Sequence, residues 1–258
     1  MKERLILDRE ILERINNSKL FYPCSGNDWK IPIKLFSPHV TDFWFVDKGY
    51  FSRGHDYTKD YRLDVPADKQ RPLLDADTQY KLLKTEINGP PNWPPDGKHI
   101  TPCILSETYR HIPTNREVTI HRHREYGFFA FRNKKEIDKL GVFFYRGDSA
   151  GEGGSGDLWL KPKRLDEVCN KLIDGGLIVL DGSDGCMQTH RKKSGIYKEL
   201  WKCRHKEVSQ CPEELIKDMK SFTNRMGRRF SCIGYAGRHC GPTMIWQVHK
   251  NAKSGKGE

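Results

Sequence analysis

Apolar residues recur along the chain in short runs and helical stripes separated by polar turns. Leu5, Ile6, Ile11, Leu12 and Ile15 fall at helical spacing, which predicts an opening amphipathic helix with Asp8 as its cap. Lys19 to Cys24 reads as a strand ending in Ser25-Gly26-Asn27-Asp28, and Ile31 to Phe36 as the start of a helix. Asp42-Phe43-Trp44-Phe45-Val46-Asp47 is an apolar run between acids, the pattern of a buried parallel strand. From Ser52 to about Asn115 prolines break the pattern. There Tyr80 to Ile87 reads as a strand, and Cys103–His111 with Glu117–His123 as a hairpin around Pro113-Thr114-Asn115. This stretch, about 52–135, is expected to be an irregular insertion or lid.

Regularity returns at Gly141–Tyr145, a strand, and at Arg164–Ile173, a helix stopped by Gly175-Gly176. Leu177–Leu180 is a further buried strand and Pro212–Met226 an amphipathic helix with Pro212 near its first turn. Phe230–Tyr235 and Thr243–His249 close the chain as an antiparallel pair. Strands alternating with helices predict a single α/β domain over 1–258. Its architecture would be a three-layer sandwich, mostly parallel, with helices on both faces and an antiparallel edge at the C-terminus.

Turns at the carboxyl ends of such strands are where an open α/β sheet binds ligand. Four fall there: Ser25–Asp28, Asp47, Arg146–Gly156 and Asp181–Ser183. Gly26 lets backbone approach a ligand, and Asp47 follows it by 21 residues, the spacing of an acid that accepts ribose hydroxyls. The run Arg146-Gly147-Asp148-Ser149-Ala150-Gly151-Glu152-Gly153-Gly154-Ser155-Gly156 has five glycines in eleven residues. Its amides are suited to an anion nest, with Arg146 adding charge.

On these residues the chain resembles the class I S-adenosylmethionine-dependent methyltransferases, a Rossmann-like family. Tyr22-Pro23-Cys24-Ser25-Gly26-Asn27-Asp28, Asp47, Leu172–Leu180 and the closing strand pair carry the likeness. The resemblance implies S-adenosylmethionine or a related nucleotide as ligand. Ser25, Gly26, Asn27, Asp28, Asp47, Arg146, Gly147, Gly151, Gly153, Gly154, Asp181 and Ser183 would hold it, and Asp148, Ser149 and Glu152 are the catalytic candidates. The first loop carries one glycine, and the family's Asn/Asp-Pro-Pro-aromatic motif has only a distorted echo in Asn88-Gly89-Pro90-Pro91-Asn92-Trp93. Two alternatives therefore stay open. One is a non-catalytic binding or inhibitor protein on a degenerate scaffold of this kind. The other is a permuted GDS-type (SGNH) hydrolase, which Gly147-Asp148-Ser149 and Asp96-Gly97-Lys98-His99 resemble, with Ser149, His99 and Asp96 as its triad.

Charge widens the list of partners. Lys and Arg number 45 against 34 Asp and Glu, an excess of +11, which favours nucleic acid or another polyanion. Cations lie beside rings in His190–Lys198 and Trp201–Lys206, as base stacking with phosphate contact would use them. Six Trp, ten Tyr and twelve Phe supply core mass despite a hydrophobic fraction of 36%. Eight cysteines without a repeating spacing, a charged N-terminal segment and the absence of a long apolar run point to a cytoplasmic chain with reduced thiols and no membrane span. Cys186, His190, Cys203 and His205 supply soft ligands but lack structural-zinc spacing, so no metal is assigned. His121 and His123 alternate along a strand and share a face, as a hydrogen-bonded rather than a metal-binding pair.

Overall fold

The computed structural model describes residues 5–51, 65–92, 100–146, 159, 162–181, 211–224, 226–238 and 242–250. They divide into two compact units, Asn16–Asp138 and Met1–Ile15 with Lys139–Glu258.

The Asn16–Asp138 unit is built on β2 (Ser18–Pro23), α2 (Lys30–Phe36), β3 (Val40–Val46), β4 (Tyr80–Asn88), β5 (Cys103–His111), β6 (Arg116–Arg124) and α3 (Gly127–Asn133). The strand order is β2-β3-β6-β5-β4. β2 and β3 pair parallel, as do β3 and β6, whereas β5 pairs antiparallel with both β6 and β4. Successive side chains of a strand point to opposite faces, and the register assigns them. Tyr22, Phe45 and Arg122 are neighbours on one face. Phe21, Trp44 and His121 are neighbours on the other, where Phe21 meets Phe131 of α3 at 5.2 Å between ring centroids. Apolar groups on both faces of β2 and β3 are buried, which is why those strands read as near-continuous hydrophobic runs.

The second unit contains β1 (Leu5–Ile6), α1 (Arg9–Arg14), β7 (Leu140–Tyr145), α4 (Pro162–Lys171), β8 (Leu172–Leu180), α5 (Pro212–Asp218), β9 (Phe222–Thr223), β10 (Arg229–Arg238) and β11 (Pro242–His249). Its strands run β1-β10-β11-β8-β7, with β9 also on β10. Among the described pairings of this unit, β7 and β8 pair parallel and the others antiparallel. Phe222, Phe230 and Trp246 form one aromatic cluster of its core, and Phe143 with Trp159 another.

The expected Rossmann-like sandwich is therefore corrected. Among the described pairings six are antiparallel and three parallel, and the described helices are few and short. The irregular stretch at about 52–135 supplies β4, β5 and β6, strands of a mixed sheet. The opening stripe splits into strand β1 and helix α1, which Asp8 caps by accepting from the Glu10 amide at 3.0 Å. The helix expected over Pro212–Met226 ends at Asp218, and Phe222–Thr223 goes into a strand against β10. Gly175 and Gly176 do not stop a helix. They lie inside β8, where Gly175 has φ +74° and the register against β7 shifts, as a bulge requires. No described helix is long and apolar enough to cross a membrane.

Candidate functional site

The turn after β2 is held almost wholly by its own neighbours. Asp47 Oδ2 accepts from the Gly26 amide at 2.9 Å, and Oδ1 from the Gly49 amide at 2.7 Å. Gly26 has φ +47°, a left-handed conformation glycine adopts freely, which presents that amide to the carboxylate. Tyr22 donates to Asp28 Oδ2 at 3.0 Å. The Tyr50 hydroxyl donates to the Gly26 carbonyl at 2.9 Å and lies 2.7 Å from Ser25 Oγ. The Ser25 hydroxyl also donates to the Val46 carbonyl at 3.4 Å, so both hydroxyls are spent on backbone and on each other. Burial raises the Tyr50 hydroxyl far above its ordinary range, so it stays protonated.

Thus Ser25, Gly26, Asn27, Asp28 and Asp47 do come together at the ends of β2 and β3, and Asp47 acts there as the brace of a turn. In the other unit, Arg146 and Asp181 follow the neighbouring strands β7 and β8, and both are buried. Gly147, Asp148, Ser149, Gly151, Glu152, Gly153, Gly154 and Ser183 lie outside the described residues, as do Asp96, His99, Cys186, His190, Cys203 and His205.

A cleft of about 730 Å³ opens in the Asn16–Asp138 unit, and Asn27 is the one residue of that turn on its lining. One wall is α2. Its Pro32, Ile33, Leu35 and Phe36 are buried, so Lys30 and Lys34, one turn apart, are left on the open side. Both line the cleft, and the Lys30 ammonium lies 5.2 Å from the centroid of the Trp29 ring. Tyr50, Phe51 and Tyr80 add aromatic surface.

The opposite wall, Leu73–Tyr80, hangs on a buried ion pair. Arg122 Nη2 and Glu107 Oε2 are 3.4 Å apart, their side chains 4% and 2% exposed. Glu107 also accepts from the Leu73 amide through both oxygens at 3.2 Å, and Arg122 donates to Gln70 Oε1 at 2.9 Å. The Tyr109 hydroxyl accepts from the Leu74 amide at 3.3 Å. Each buried charge is therefore paired and hydrogen-bonded, the condition for tolerating it. The wall presents Asp75 and Asp77 to the cleft. His111 closes one end, with Nδ1 2.8 Å from Thr114 Oγ1; burial keeps its imidazole below the usual range, against the opposing pull of Asp77.

Sequence reasoning missed this cleft because both its wall and its anchoring pair sit in the stretch that reads as irregular. The signal was there in Leu73-Leu74 between Pro72 and two acids, and in Glu107 and Arg122 at inward positions of alternating strands. Among the described residues no group of three or more His, Cys, Asp or Glu is placed to hold a metal. His121 and His123 do share a face, but His121 bonds to other partners and both nitrogens of the fully buried His123 lack a hydrogen bond. Compared with protein-family models, curated proteins and solved structures, the chain matches none.

Proposed function

We propose that the cleft of the Asn16–Asp138 unit binds a nucleotide-like small molecule. The observation that carries this reading is the chemistry of its lining: two lysines on one helix face, aromatic rings beside them and two carboxylates across from them. A phosphate or carboxylate suits Lys30 and Lys34. A flat heterocycle suits Trp29 and its neighbouring rings, and hydroxyl or amino donors suit Asp75 and Asp77. S-adenosylmethionine, with a carboxylate, a ribose and an adenine, is one ligand of that description, and adenosine phosphates are others. The reading concerns binding; no group in the cleft is assigned a step of methyl transfer.

Isothermal titration with S-adenosylmethionine, ATP and AMP tests it. At least one ligand is expected to bind, and replacing Lys30 and Lys34 together by Ala should weaken that ligand about tenfold or more. Absence of heat with all three, or an indifferent double variant, removes the reading.

The charge balance favours a second one, association with nucleic acid or another polyanion. The excess of +11 comes mostly from Met1–Ile15 and Lys139–Glu258 rather than from the unit that holds the cleft.

A further inference from the structure

On the face of the Asn16–Asp138 sheet opposite the cleft, three adjacent strands bring a serine, a histidine and an aspartate into line. Ser106 of β5 is in register with His121 of β6, and its Oγ lies 2.7 Å from His121 Nδ1. The other ring nitrogen, Nε2, is 3.1 Å from Asp42 Oδ1, an ion-pair contact without hydrogen-bond alignment. Asp42 belongs to β3, the strand on the far side of β6. The three side chains are half-buried, His121 being 17% and Asp42 25% exposed, so the group is shielded yet reachable. We propose that Ser106, His121 and Asp42 form a serine-nucleophile site that transfers the acyl group of small esters to water. It is independent of the cleft reading.

The roles follow from the contacts. The site works in the tautomer that carries its proton on Nε2, toward the Asp42 charge, and leaves the Nδ1 lone pair for Ser106. Trp44 stacks on the imidazole at 4.1 Å between centroids and 23° between planes, which holds the ring in position. The ring nitrogens are used in the opposite sense from the usual serine-protease arrangement, but the order serine, base, acid is the same, and such a site is recognised by geometry. Lys19 lies 3.9 Å from Asp42 Oδ2 and helps fix that carboxylate.

In the first step Ser106 Oγ bonds to the acyl carbon while its proton passes to His121 Nδ1. The bond to the leaving alcohol then breaks, and that oxygen takes the proton from Nδ1. Water enters, gives a proton to Nδ1 as its oxygen bonds to the acyl carbon, and Ser106 Oγ leaves and recovers that proton, releasing the acid. No electron is gained or lost overall. The amides of β5 and β6 are engaged in the sheet ladder, so the charge on the intermediate's oxygen falls to a side chain. Lys84, in register with Thr108 on that face, is the candidate; its ammonium pairs with Glu86 at 2.8 Å, and Glu86 is itself in register with Ser106, so Lys84 must exchange that partner for the oxyanion. With the amides of the described strands committed to the ladder, the site suits activated or unhindered esters.

The test uses the full chain with a fluorophosphonate probe and with p-nitrophenyl acetate. Peptide mass spectrometry is expected to find the phosphonyl group on Ser106. Ester turnover should fall at least about tenfold in Ser106→Ala and His121→Ala, and less in Asp42→Asn. Thr108→Ala should match the parent. Circular dichroism checks that each variant folds; if Ser106→Ala does not, the labelled residue in the parent chain decides alone. Parent chain unlabelled at Ser106, or folded Ser106→Ala with parental turnover, overturns the site.

Discussion

A carboxylate that accepts two backbone amides is engaged by the fold before any ligand arrives. Asp47 is such a group, and hydrogen bonds to a charged acceptor are among the stronger ones. Asp47→Ala is therefore expected to cost about 2 kcal/mol, read as a lower urea midpoint, while Asn, which keeps one acceptor oxygen, should cost less. His123 acts through protons. Burial holds its imidazole pKa down at about 3 against an ordinary 6.5, with Lys134 and His121 pushing the same way. Below pH 6.5 the unfolded chain binds a proton that the folded one refuses, so stability is full above that value and is lost as pH falls toward about 3. His123→Leu should flatten the urea midpoint's dependence on pH across that window, by a slope approaching about 1.4 kcal/mol per pH unit. An unchanged slope would mean that the imidazole is hydrated or charged in the native protein. Neither role is visible in the sequence, where Asp47 looks like a ribose acid and His123 like half of a histidine pair. What decides both is the partner, and the partners come from a tight turn in one case and a buried strand face in the other.

At the scale of elements, the sequence names the strands better than their company. β2, β3, β7 and the closing pair β10–β11 all stand close to where apolar runs place them, because burial on one or both faces writes itself into the run. Whether a run pairs parallel or antiparallel does not. β5 and β6 were legible as a hairpin, yet β6 also pairs parallel with β3, a contact set by packing between segments far apart in sequence. Helices were over-read for a related reason. A stripe with helical period over two turns is also compatible with a strand and a short helix in succession, as β1 and α1 show. β4 carries a consequence of its own. It ends the β2-β3-β6-β5-β4 order, and Leu82, Leu83 and Ile87 along it are 37%, 40% and 39% exposed. An exposed apolar edge strand invites pairing with another chain, and charges such as Lys81, Lys84 and Glu86 only partly blunt it. Leu83→Lys is expected to lower light scattering at high protein concentration while moving the urea midpoint by less than about 0.5 kcal/mol. Equal scattering would assign self-association to another surface.

For the whole molecule, charge is the property that sequence gives most directly, and it is unevenly shared between the two units. That unevenness separates the two binding readings experimentally. A small ligand in the cleft contacts few charges, and its affinity should change little with salt. A polyanion held by the basic excess releases counterions in proportion to the phosphates it contacts, so its affinity must fall steeply as salt rises. Filter binding or fluorescence anisotropy with a single-stranded oligonucleotide is expected to show at least about a tenfold loss of affinity between 50 and 200 mM salt. Replacing Arg191, Lys192 and Lys193 by Glu should weaken the oligonucleotide while leaving cleft titrations unchanged, since all three lie outside the Asn16–Asp138 unit. The Lys30, Lys34 double variant should do the reverse. If both variants weaken the oligonucleotide alike, the cleft is part of a polyanion surface and not a separate small-molecule site. If neither does, the basic excess serves no such partner.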